Sequence, residues 1–217
     1  MHMKKTLYSL MLSDDVVRAV DAMAHQMGTS RSGLVNQVLA DYVSVPTPER
    51  RISDIFETIE TLISPGRELV PFFAPGSPTL SLKSSLAYKY RPTVKYEVEL
   101  SQEGGGALGE LSVIFRTQSA SLIAAMTEFF RLWVRIENTH LAPLLGASLD
   151  CALYEGKFLR PIALPQSRCT AEEIAGAISD YVQLFDRQLK DYLGGEASDA
   201  DVERAYCEDL SHRKLLI

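Results

Sequence analysis

The chain has 217 residues, 46% of them apolar and 23% charged, which is ordinary globular composition with enough apolar material for a real core. A net charge of −6 and an isoelectric point near 5.3 exclude a protein that coats nucleic acid by bulk charge. No apolar run approaches the ~20 residues that span a bilayer, and Asp14 and Asp15 cut short the apolar stretch behind Lys4 and Lys5 before it makes a secretory signal. A cytoplasmic protein that does not enter the membrane is expected.

Residues 5–12 (KTLYSLML) alternate, with Tyr8, Leu10 and Leu12 on one face and Lys5, Leu7, Ser9 and Met11 on the other, and so predict a strand. Ser13 reads as the N-cap of a helix over 14–27, whose first-turn Asp14 and Asp15 suit the positive end of the helix dipole. Its apolar stripe is Val16, Val20, Met23, Ala24 and Met27, and Gly28 fits a left-handed C-terminal position. A second helix opens at Thr29 or Ser30, turns Leu34, Val35, Val38, Leu39 and Tyr42 inward, and stops near Ser44. One strand and two helices in residues 1–44 are too little to bury a core. A lone strand also leaves both edges without hydrogen-bond partners. Antiparallel pairing with the same strand of a second chain remedies both, so residues 1–44 are expected to be a dimerisation domain.

Thr47-Pro48-Glu49 opens a further helix to Ile63, with Thr as cap and Pro at the first helical position. It buries Ile52, Ile55, Phe56, Ile59 and Leu62, as a plain core helix, as a connector over 45–66, or as an added dimer contact. Within residues 67–92, Leu80-Ser81-Leu82 hints at a strand, and Leu86–Tyr90 is either helical or extended. Thr93–Ser101 and Gly109–Thr117 both alternate around Gly104-Gly105-Gly106, which predicts a β-hairpin with a glycine turn rather than a phosphate cradle. A helix follows from Ser119 to Asn138. Residues 144–168 carry no clear pattern. Thr170-Ala171-Glu172-Glu173 reads as a capping box for a helix to Tyr192, ended by Gly194-Gly195, and Ser198 opens a last helix toward residue 214. The expected class is α+β, with residues 67–217 forming an α+β domain for sensing or oligomerisation.

Cys151, Cys169 and Cys207 are far apart and odd in number, and no two of the four histidines have the i,i+4 spacing of metal ligands. The cysteines are expected to be buried or inert thiols in a reducing compartment. No metal and no cofactor is expected. GxSxG, HExxH and P-loop motifs are lacking, Glu172-Glu173 is explained by capping, and Phe129, Phe130 and Trp133 read as helix core rather than a ligand cage. An enzyme is not expected.

The run Leu12–Val43 (LSDDVVRAVDAMAHQMGTSRSGLVNQVLADYV) resembles the ribbon-helix-helix family of bacterial regulators, the Arc, MetJ and CopG type. The likeness lies in an alternating strand ending at Leu12-Ser13, an acidic helix start, a stripe closing on Met23-Ala24, Gly28, and Ser30-Arg31-Ser32 opening the second helix. It implies an intertwined dimer whose two-stranded ribbon enters the major groove of double-stranded DNA. Leu7, Ser9 and Met11 would then read bases, with Lys5 one step earlier. Phosphates would be held at the second helix N-terminus by Ser30, Arg31 and Ser32, and by Lys4. Many members of that family carry polar residues where this chain has Leu7 and Met11, and an apolar exposed face equally suits a protein contact. Residues 1–44 hold four basic side chains (Lys4, Lys5, Arg18, Arg31) against four acidic ones (Asp14, Asp15, Asp21, Asp41), so any DNA contact there is local.

These readings combine into a homodimeric, sequence-specific DNA-binding transcriptional regulator, a repressor or autoregulator, working as a dimer or a dimer of dimers, with an effector at the C-terminal domain. The alternative is an antitoxin-like or partner-binding protein that uses the N-terminal domain as an interaction platform.

Overall fold

The computed structural model describes residues 6–45, 47–66, 68–73, 77–87, 92–101 and 106–217. Helices α1 (Asp14–Gln26), α2 (Arg31–Tyr42) and α3 (Pro48–Ile63) come first, with a short 3-10 turn over Ser64–Gly66. Each start follows from its sequence. The Ser30 side chain accepts from the Gly33 amide, and Thr47 accepts from the Arg50 amide ahead of Pro48. Gly28, at φ +63°, turns the chain between α1 and α2 in a conformation that most side chains resist.

The strand expected over 5–12 is absent. Lys5 lies outside the described residues, and residues 6–13 are extended chain without regular secondary structure. A strand is held by ladder hydrogen bonds, and no described strand lies beside this segment to supply them. Alternation gives a face, but it does not supply a neighbour.

Behind these helices lies a six-stranded sheet: β1 (Leu69–Phe72), β2 (Thr79–Ser85), β3 (Thr93–Leu100), β4 (Ala107–Phe115), β5 (Ala152–Tyr154) and β6 (Lys157–Ala163). Its order is β1-β2-β3-β4-β6-β5, and every pairing is antiparallel. The expected hairpin is β3–β4, in register Val98↔Leu111. Gly104 and Gly105 of its expected turn lie outside the described residues, as do residues 88–90 of the Leu86–Tyr90 stretch. The strand hinted at Leu80-Ser81-Leu82 is the middle of β2. Gly109 is required by geometry: a Cβ there would stand 2.1 Å from the carbonyl oxygen of Glu99, beside a register shift in β4.

Helix α4 (Ala120–His140) follows β4, with the short α5 (Ala142–Leu145) after it, and α6 (Ala171–Gly194) and α7 (Asp199–His212) close the fold. The α6 capping box is formed, with Thr170 and Glu173 bonding each other's backbone amides. Alternate residues of β2, β3, β4 and β6 face the helices, among them Leu82, Tyr96, Val98, Val113 and Phe158, all fully buried. Helix α3 packs along α6 and gives Ile52, Ile55, Phe56, Ile59 and Ile63 to this core, while Leu62 stays exposed. Trp133, Phe129 and Phe130 of α4 are core as expected; Phe185 of α6 stands 4.8 Å from the Trp133 ring and 5.4 Å from Phe129. The architecture is α+β: three helices, an antiparallel sheet, then helices. Among the described residues no helix is long and apolar enough to cross a membrane.

Candidate functional site in the N-terminal module

Helices α1 and α2 pack on each other through very little. Ala24, Leu34 and Ala40 are the only buried apolar residues of α1 and α2, and none belongs to the main core cluster. Three small or medium side chains cannot offset the ordering of two helices. The rest of the apolar material in this region faces outward. Of the nineteen large apolar side chains exposed among the described residues, twelve lie between Leu7 and Val45. They include Val16 and Met23 of α1, and Val38, Leu39 and Tyr42 of α2, all expected to point inward. Tyr42 is 88% exposed. The expectation that these positions face inward is not met: among the described residues nothing packs over them.

The predicted contact residues fall in two places. Leu7, Ser9 and Met11 lie on the extended segment, with Leu7 and Met11 almost wholly exposed. Ser30, Arg31 and Ser32 lie at the start of α2, also exposed. The Ser30 hydroxyl is engaged as the helix cap at 3.0 Å from the Gly33 amide. Arg31 forms a two-pronged pair with Asp21 of α1, both contacts at 2.5 Å. That pair holds the Arg31 guanidinium above its usual range and the Asp21 carboxyl below its own, each chiefly through the hydrogen bond to the other. It also ties α1 to α2 across the Gly28 turn. Arg31 is thus engaged within the module by Asp21. Lys4 and Lys5 lie outside the described residues.

The C-terminal domain carries one buried polar cluster that sequence reading missed. Arg160 on β6 and Glu137 on α4 are both fully buried and joined by contacts of 3.0 to 3.3 Å. Arg160 also donates to the backbone oxygens of Pro161 at 3.1 Å and Ile217 at 2.6 Å, and lies over the Tyr181 ring at 4.4 Å. Burial disfavours the charged guanidinium, but the Glu137 carboxylate outweighs it and holds Arg160 above its ordinary range. Tyr206 donates to Glu137 at 3.4 Å, and Trp133 donates to the Tyr181 hydroxyl at 2.8 Å. Nearly every polar atom here is used internally, so the cluster is a structural tie between sheet and helices. Its strand escaped notice because Arg160 and Pro161 break the apolar alternation of β6. The Glu155-Gly156 turn before it, with Gly156 at φ +71°, was the available signal.

The three cysteines are free thiols, each half-buried rather than buried. Cys151 is half-buried, and burial pushes its thiol up to about 12, with the Glu137 charge adding to the effect. The thiolate fraction at pH 8 falls on the order of a thousandfold, and its greater intrinsic nucleophilicity recovers part of that. Iodoacetamide is therefore expected to label Cys151 roughly a hundredfold more slowly in the native chain than in urea. Peptide mass spectrometry of quenched time points checks this; equal rates would show an open, ordinary thiol. Among the described residues no group of three or more His, Cys, Asp or Glu side chains is placed to hold a metal.

No family model, curated protein or solved structure matches the chain. The resemblance to the ribbon-helix-helix family is accordingly withdrawn. No family model supports it, and the N-terminus is the helix pair α1–α2 behind an extended segment rather than a strand and two helices.

Proposed function

We propose that this protein is a homodimeric, sequence-specific DNA-binding transcriptional regulator whose N-terminal module supplies both the dimer contact and the DNA contact. The observation that carries the reading is the exposed apolar face of α1 and α2, two helices whose buried residues take no part in the main core. A module with three buried apolar residues needs a partner of matching shape, and a second copy supplies one by symmetry. Burying Val38, Leu39, Met23 and Tyr42 against their counterparts would place two α2 N-termini on one assembly. Each presents backbone amides, Arg31 and Ser32, groups that suit phosphate oxygens. Ser9 offers a hydroxyl to a base edge, and Leu7 and Met11 offer apolar contact to thymine methyls. Charge supports the placement. Residues 1–44 are balanced while residues 45–217 carry the whole net charge of −6, so the C-terminal domain is repelled by DNA and the module is not.

Substituting the module's polar contacts tests this. Ser9→Ala with Arg31→Ala is expected to weaken binding to the protein's own upstream DNA by about tenfold or more, with the urea midpoint of the C-terminal domain nearly unchanged, since the Arg31–Asp21 pair lies wholly within the module. Fluorescence anisotropy against labelled duplex reads the change. Undiminished affinity in a folded variant would remove these residues from the interface.

A second reading rests on the full exposure of Leu7 and Met11. Two large apolar side chains held in water also suit a protein partner, so the module would be an interaction platform of the kind antitoxins use. In that case the chain would bind no DNA specifically, and Leu7→Ser with Met11→Ser would abolish partner capture instead.

A further inference from the structure

A cleft of about 430 Å³ opens between the first half of α6, the end of α7 and the loop before α6. Its volume lies within the range of small-molecule sites. Arg213 stands on its wall with a side chain only 7% exposed. Its Nε donates to Asp209 at 2.6 Å. Its guanidinium carbon lies 5.3 Å from the Tyr181 ring centre and 5.4 Å from that of Tyr206. Both terminal nitrogens, Nη1 and Nη2, are buried with no hydrogen-bond partner among the described residues. Aromatic rings answer part of the charge, but they leave up to four N–H groups without an acceptor. A buried charged donor left in that state costs several kcal/mol in general, and such groups in native folds call for a partner.

Around the cleft the cations Arg168, Arg213 and Lys214 stand with the carboxylates of Glu173, Asp180 and Asp209 and with His212, and what separates them is which are already partnered. Arg168 and Lys214 also line it, are exposed, and form no ion pair among the described residues. The acids on the wall are largely committed: Glu173 to the α6 capping box and Asp209 to Arg213. Asp180 remains, with its carboxyl raised by burial and by the neighbouring Asp209 charge against the opposing pull of Arg213, and it suits a hydrogen-bond donor rather than an anion. Gly176 lies on the floor, and a Cβ added there would meet nothing within 4 Å.

We infer that this cleft is a binding site for a small organic oxyanion, a carboxylate or a phosphate ester. Its charged oxygens would lie toward Arg213, Arg168 and Lys214, and a hydroxyl or amino group toward Asp180. The site belongs to the C-terminal domain and does not depend on the DNA-binding reading, so either can fail without the other.

The test is thermal unfolding and isothermal titration of the full chain with inorganic phosphate and, separately, citrate, each against sodium chloride at matched ionic strength. At least one anion is expected to bind saturably and to raise the melting temperature as mass action requires; which one does so identifies the oxyanion. Gly176→Phe fills the cleft from an ordinary helical position with open space around it, so the fold is retained and binding is expected to be lost. Arg168→Ala with Lys214→Ala changes only exposed side chains and is expected to weaken binding about tenfold or more. Absence of saturable binding by both anions overturns the inference. So does binding that survives both variants unchanged.

Discussion

Replacing Glu137 with leucine is expected to lower the stability of the fold by about 3–5 kcal/mol. The size comes from what is left behind. Arg160 would keep its positive charge at full burial, with only the Pro161 and Ile217 carbonyls to receive its donors. It cannot shed the charge, because a guanidinium does not deprotonate in proteins. Tyr206 would lose its acceptor as well. Adding Arg160→Met to Glu137→Leu removes the stranded charge, so the double variant is expected to recover much of the loss. Urea unfolding of the parent, Glu137→Leu, Arg160→Met and the double variant measures both effects. A loss under about 1 kcal/mol for the single variant would mean that water reaches Arg160.

The second large effect is expected at the opposite end of the chain and leaves the fold alone. Val38 and Leu39 are 55% and 50% exposed, so Val38→Asp with Leu39→Asp places charges where the isolated chain already meets water. Stability of the C-terminal domain is expected to shift by no more than about 0.5 kcal/mol per site. In the proposed dimer the same positions are buried, and four carboxylates would enter one apolar interface. The dissociation constant of the dimer is then expected to rise by about a hundredfold or more, and DNA affinity to fall with it. Sedimentation velocity over a range of concentrations reads the assembly state. A variant that sediments like the parent would move the dimer contact elsewhere.

Much of the fold was legible from caps and periods. Thr47-Pro48, Ser119 and Thr170 each open a helix where their side chains can take the first free amides. The strands β3 and β4 declared themselves because one sheet face is buried and the other is wet, which enforces alternation. Strands β5 and β6 did not, since β5 has three residues and β6 interrupts its apolar face with a buried arginine. The Arg160–Glu137 tie joins positions 23 residues apart that no local pattern connects. Residues 6–13 were misread for the converse reason. Alternation there is real, but a strand is a property of a pair, and no described strand of this chain pairs with them. The module's apolar stripes were read as inward faces, but Val16, Met23, Val38, Leu39 and Tyr42 are exposed, because no described part of the chain packs over them. Arg213 also lay beyond sequence reading, because its isolation depends on α6 and α7 meeting in space.

In the proposed function, two copies of this chain bind one specific DNA site through their N-terminal modules. The most direct test is a stoichiometric titration of the full chain on its own upstream duplex and on a scrambled duplex, at two salt concentrations. The account predicts two chains per site, a preference of about 10³ or more for the upstream sequence, and affinity that falls as salt rises. Equal affinity for both duplexes would contradict it.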